Sequence, residues 1–113
     1  MESKIVYSKD APLEPTEPGC LRRILAWDKQ IMATECNFEK GATPAVHSHP
    51  HRQNTYIVSG KYKFFVEGEE IVVGPGDSLC FAPNAKHGLV CLEAGKLVDV
   101  FTPYRENFVK EQH

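Results

Sequence analysis

Nowhere in this sequence do 18 apolar residues run together, which excludes a membrane-spanning helix. A basic excess is missing too. Thirteen Lys and Arg face 15 Asp and Glu, a formal net charge of −2, and no Lys/Arg cluster occurs, so nucleic acid is a poor partner. The opening MESKIVYSKD has no basic stretch leading into an apolar one, so no secretory signal is visible and a cytoplasmic location is expected. Cys20, Cys36, Cys80 and Cys91 are scattered without a CxxC pair. With no secretory signal, they read as reduced residues buried like small hydrophobes, Cys80 and Cys91 each lying inside an apolar run. Internal repeats and low-complexity linkers are absent, and 113 residues fit one domain. No segment of ten residues shows a convincing 3.6-residue apolar period, so long helices are excluded as well.

What the chain does contain is a series of short strand-like runs separated by Gly and Pro. Pro12, Pro15 and Pro18 make residues 1–19 an extended arm. CLRRILAW then leads to an Asp28-Lys29 turn. QIMATECNFE alternates, with Met32, Thr34, Cys36 and Phe38 on one face. QNTYIVSG, KYKFFVEG, EIVV, SLCFA, HGLVCL and KLVDVF follow, each stopped by a Gly or Pro turn. Many short strands at this spacing predict an all-β sandwich or small barrel. Only the tail after Pro103 has room for a turn or two of helix. His113 at the end reads as disordered, and Trp27 as a core or interface residue.

The histidines carry the chemistry. HSHPHRQ holds His47, His49 and His51 with Gln53 close behind, and His87 stands 40 positions after His47. On a strand, residues two apart share a face, so His47 and His49 would present two imidazoles to one ion, with His87 available as a third ligand. The blander alternative is a pair of surface histidines bonded to water. Pro50 would break the strand before His51, leaving that ring outside the ligand set or facing solvent. In KLVDVFTPYRENF, Leu97, Asp99 and Phe101 share one face, so Asp99 is a carboxylate in an otherwise apolar strand. Facing solvent, it is a surface charge; facing the interior near a metal, it is a general acid/base. Arg105, past Pro103, is either a solvated tail charge or a bidentate clamp for a carboxylate over the barrel mouth.

The spacing Gly41, His47-x-His49, Gln53, Gly60 resembles the first signature of the cupin superfamily, G(X)5HxH(X)3–4E(X)6G. PGDSLCFAPNAKH, from Pro75 to His87, resembles the second. Gln53 departs from the usual Glu, Ala82 from a proline, Asn84 from a glycine and Cys91 from an Asn. Asn tolerates positive φ, so the change at Asn84 is mild. The resemblance implies a single-domain cupin double-stranded β-helix (jelly-roll) barrel over residues 20–103, with 104–113 as a tail near its mouth.

HSHPHRQ with Gln, HGLVCLEAG and DVFTPYRENF are similar to one group of small cupins, the KdgF-type pectin-degradation proteins. This implies a divalent transition metal (Ni, Zn, Fe or Mn) on His47, His49, Gln53 and His87, with Asp99, Phe101 and Arg105 catalytic. It also implies a sugar-acid substrate, a 4,5-unsaturated uronate opened to its linear 4-deoxy-5-keto form, and a homodimer. A neutral donor set leaves the dication's charge uncompensated, which suits a Lewis acid better than an oxygen-activating iron site. A redox, dioxygenase-like cupin and a non-enzymatic small-molecule-binding cupin are the alternative readings.

Overall fold

The computed structural model describes residues 2–111, so the reading of His113 lies outside the described residues. Among the described residues, nine antiparallel strands form two sheets. They are β1 (Glu14–Glu17), β2 (Cys20–Trp27), β3 (Met32–Phe38), β4 (Arg52–Ile57), β5 (Lys61–Val66), β6 (Glu69–Val73), β7 (Ser78–Phe81), β8 (His87–Glu93) and β9 (Gly95–Thr102). A short helix α1 (Glu106–Glu111) follows the turn at Pro103. One sheet has the order β1-β2-β3-β9-β4-β7 and the other β6-β5-β8. This is the all-β architecture that the strand pattern predicts and the two-layer jelly-roll that the cupin resemblance implies. The N-terminal arm is extended over β1, where it pairs with β2 as the edge of the larger sheet, after a 3-10 turn at Ser8–Asp10.

Strict alternation explains the strands. In β4 the pattern exposed–buried repeats three times, turning Gln53, Thr55 and Ile57 inward. Cross-strand register then lines the inner face in rows. One row runs Arg22, Cys36, Leu97, Ile57; the next runs Ile24, Thr34, Asp99, Thr55, Leu79; the third runs Met32, Phe101, Gln53, Phe81. Facing them from the smaller sheet are Tyr62, Phe64, Leu89 and Cys91. Tyr62, Met32, Ile57 and Leu97 are fully buried, the three aliphatic side chains each worth about 1.5–3 kcal/mol of hydrophobic stabilisation. The buried polar side chains Thr34, His49, Gln53, Thr55 and His87 lie toward one end of this interior, and that asymmetry separates core from site.

Two turns show how the ends are closed. β5 and β6 are joined by Glu67 and Gly68, both at positive φ (49° and 85°), the mirror-image turn that matches strand twist. Asn84, at φ 64°, occupies the left-handed region that its sequence context called for, and its N–H donates to the carbonyl of His49 at 2.7 Å.

Two expectations are corrected. His47 and His49 do not lie on a continuous strand: His47 makes a single bridge to His87, and the ladder of β4 begins only at Arg52. Pro44 and Pro50 bracket this segment and supply no N–H for a ladder. Cys80 is exposed, because Leu79 and Phe81 take the inward positions of the edge strand β7 and Cys80 points out. Cys20 and Cys91 are buried, Cys36 is half-buried, and all four thiols are free.

Candidate metal centre and active-site cavity

Backbone pairing joins the two histidine motifs. His47 N–H donates to the His87 carbonyl at 3.0 Å and His87 N–H returns a bond to His47 at 2.9 Å. That reciprocal bridge sets the two rings 4.4 Å apart, with His49 5.2 Å from His87. Ligand atoms of the three rings lie within 4.8 Å of one another. Phe81 stacks on His87 at 4.5 Å, and Phe101 meets His49 edge-on at 5.7 Å, so packing restrains two of the three imidazoles.

Hydrogen bonding shows what these rings are arranged to hold. Each Nδ1 faces a backbone carbonyl: His47 that of Ala45 at 3.0 Å, His49 that of His51 at 3.1 Å, His87 that of Ala85 at 2.9 Å. A nitrogen facing a carbonyl carries the proton of a neutral imidazole, which leaves every Nε2 with its lone pair. His87 Nε2 is buried without a hydrogen-bond partner among the described residues. His49 Nε2 sits 2.9 Å from Gln53 Oε1. Both are acceptors in this arrangement, because the Gln53 amide donates to Thr55 at 3.0 Å and to Asp99 at 3.1 Å. An orphaned buried lone pair and two converging acceptors are what a cation satisfies. His47, His49, His87 and Gln53 therefore fit a divalent transition metal.

Behind the donors lies Asp99. Its Oδ1 accepts from Thr55 at 2.5 Å and from Gln53, while Cys36 lies 3.8 Å from Oδ2. Burial raises the Asp99 carboxyl above its ordinary value, and the bonds from Thr55, Gln53 and Cys36 only partly offset this. The Cys36 thiol is pushed well up by burial and by the neighbouring carboxylate, so it stays protonated.

Burial lowers His49 and takes His87 down to about 4 from an ordinary 6.5. Both rings are thus neutral, as ligands must be, at neutral pH. In the metal-free protein the depressed His87 has a stability consequence. Between pH 6.5 and 4 the unfolded chain binds a proton that the folded chain refuses, so stability is full above 6.5 and lost as pH falls toward 4. The urea midpoint of the metal-free protein should drop across that window by the equivalent of about 2–3 kcal/mol, and by clearly less in His87→Asn. Parallel pH profiles for the two proteins would remove His87 as the cause.

These groups open on a cavity of about 510 Å³, lined among others by His47, Gln53, His87, Asp99, Phe101 and Arg105. Leu97, Asp99 and Phe101 do share the inner face of β9, and Arg105 reaches over the rings of Phe101, at 5.0 Å, and Phe108, at 4.3 Å. The His51 ring stays outside the three-histidine group, and it is the backbone carbonyl of His51 that faces His49 Nδ1. Half-buried Trp27 stacks on Tyr104 at 5.2 Å, tying the chain just before Arg105 to the end of β2. A broader depression of about 1000 Å³ along β1 and β2, near Pro15, Leu21 and Lys96, contains none of the histidines. Three residues escaped the sequence reading. Thr55 was hidden in a plain alternating strand, and Phe108 in a tail too short to show a period. Arg22 did carry a signal, since it shares a strand face with apolar Cys20 and Ile24.

Known proteins agree with this architecture. The family model described as Cupin domain matches residues 34–101. The pectin degradation protein KdgF of Dickeya dadantii is 34% identical over 102 residues, spanning 88% of this chain and 93% of that protein. The chain belongs to the KdgF-type cupins. A KdgF structure from a Halomonas species superposes with a TM-score of 0.89 at 30% identity, over 94% of this chain and 98% of that one. An RmlC-like cupin from Shewanella frigidimarina gives 0.89 at 34% identity, over 95% and 96%. Among the described residues of this cupin no helix is long and apolar enough to cross a membrane.

Proposed function

We propose that this KdgF-type cupin is a metal-dependent enzyme that converts cyclic 4,5-unsaturated uronates to the linear 4-deoxy-5-keto acid. The observation that carries it is the Gln53 amide, whose oxygen belongs to the metal donor set while its nitrogen holds a buried carboxylate, Asp99, in the wall of the same cavity. Similarity to the pectin degradation protein KdgF of Dickeya dadantii supports the substrate class.

The reaction is an isomerisation, and one carboxylate is enough to run it. Asp99 takes the proton from the anomeric hydroxyl as the C1–O5 bond breaks, C1 becoming the aldehyde and O5 leaving as an enolate at C5. The same carboxyl then returns a proton to C4, which leaves a ketone at C5. Atoms balance with nothing added. Thr55 and Gln53 hold Oδ1 while Oδ2 takes only the weak, long Cys36 thiol contact, so Oδ2 is the oxygen that works, and the raised pKa of Asp99 suits both halves of the cycle. Arg105 engages the substrate carboxylate, and Phe101 shapes the wall against the sugar. A divalent ion, when bound, supplies Lewis-acid stabilisation of the charge that develops on the substrate oxygens.

The test is a turnover assay. Metal-loaded protein, incubated with lyase-generated unsaturated galacturonate, should accelerate loss of the ring alkene over the spontaneous rate. A chelator should abolish the acceleration and re-added divalent metal restore it. No acceleration with metal demonstrably bound would sink the proposal.

A further inference from the structure

Helix α1 is too short to be stable in water without packing, and its apolar residues are Phe108 and Val109, both half-buried. Phe108 lines the same cavity as Asp99 and His87, although it comes from outside both sheets. Its ring meets Phe101 edge-on at 5.7 Å, and the guanidinium carbons of Arg22 and Arg105 lie 3.7 and 4.3 Å from its centre. Arg22 belongs to the row of the inner face that holds Leu97, and Phe101 stands four residues further along β9, about 13 Å away in the strand direction. Between these two rows runs the row of Thr34 and Asp99. A ring held between Arg22 and Phe101 therefore lies over the Asp99 row. Its approach is braced, since Tyr104 stacks on Trp27 at 5.2 Å and Phe108 N–H donates to the Arg105 carbonyl at 3.0 Å.

That position bears on which uronates can enter. Ring opening starts from a free anomeric hydroxyl, so an unsaturated ring still linked through C1 to a further sugar cannot react. Such a chain would occupy the site without turnover. An aromatic side chain across the cavity clashes with the second ring, and a built-in clash rejects a ligand that the attractive contacts alone would accept.

We propose that Phe108 is a specificity-determining residue that closes the cavity over a single uronate ring and excludes chains carrying a second sugar on C1. The inference rests on the uronate reading above and adds to it the length of the substrate. A merely supporting role makes a different prediction. If Phe108 only holds Arg105 in place, its loss weakens one-ring and two-ring acids alike, because both present a carboxylate.

The experiment uses the metal-loaded full chain and its Phe108→Ala and Phe108→Leu variants. Kd is measured for D-galacturonate and for unsaturated digalacturonate, and turnover of unsaturated galacturonate is followed in the wild type. The wild type should prefer the single ring by roughly tenfold or more. In Phe108→Ala the Kd for the two-ring acid should fall, and the preference, read as the ratio of the two Kd values, should shrink by roughly tenfold. Phe108→Leu should lie between, and it carries the same test if Phe108→Ala does not fold. An unchanged ratio in a folded variant overturns the inference, as does a wild type that binds both acids equally. A gain in two-ring binding by the variant, with no turnover by the wild type, would leave the inference standing and remove the catalytic reading. Turnover by the wild type, with no gain in two-ring binding by the variant, would do the reverse.

Discussion

Asp99→Asn should lower turnover of the unsaturated uronate by about a thousandfold, within the 10²–10⁴ range of a general acid/base, while metal content stays at the wild-type level. The substitution keeps the shape of the side chain and an oxygen where Thr55 and Gln53 now donate, so the hydrogen bonds that fix it can persist. It removes the one property the reaction needs, a proton that can be taken and returned. Thermal stability should hold or rise, since a carboxylate kept at a desolvation cost is replaced by a neutral amide. Steady-state kinetics, elemental analysis and a melting curve on the same preparation separate these effects. Equal turnover by the variant would take Asp99 out of the mechanism and assign the proton transfer to another group.

Gln53→Glu should have the second-largest effect, with opposite signs on its two readouts. A carboxylate at this position offers the metal a charged oxygen, so the ion should be retained against chelator longer than in wild type. The same change deletes the amide that donates to Asp99 and Thr55, and sets two carboxylates where the structure now has a hydrogen bond of 3.1 Å. One of them then holds a proton that neither gives up readily, as in other paired carboxylates. Turnover should fall by roughly 10²-fold, the upper end of what support residues around a metal site are worth. Chelator-release rates and kcat on one sample test both halves. Tighter metal with undiminished turnover would show that Gln53 does not position Asp99.

Much of this was legible beforehand, for identifiable reasons. Period-two alternation and Gly/Pro stops marked the strands from Cys20 to Thr102, because inward and outward side chains differ in polarity along most of them. The motif spacing named His47, His49, Gln53 and His87, and the alternation of KLVDVF set Asp99 beside Leu97 and Phe101. Local pattern carries no information on how a segment is placed against distant parts of the chain. HSHPH looked like a strand because its imidazoles are two apart, yet Pro44 and Pro50 leave it a loop whose rings are oriented by carbonyls of Ala45 and His51. Arg22 and Arg23 are adjacent charges in CLRRILAW. One turns into the cavity and the other outward to Glu35 at 3.2 Å, a choice made by pairing with β3.

By itself, then, the sequence determined the strand elements and the chemistry of the donor set, both properties of residues near one another in the chain. Tertiary structure decided which face of each strand is the inside, and so whether Asp99 was a surface charge or a buried acid. Alternation is two-fold degenerate in this respect, and only register with neighbouring strands and closure of the second sheet resolve it. It also decided that residues 40 apart share one ion's worth of space, through the pair of backbone hydrogen bonds between His47 and His87. The placement of Arg22, Arg105 and Phe108 around one cavity is of the same kind, since a six-residue helix acquires its position only from what it packs against.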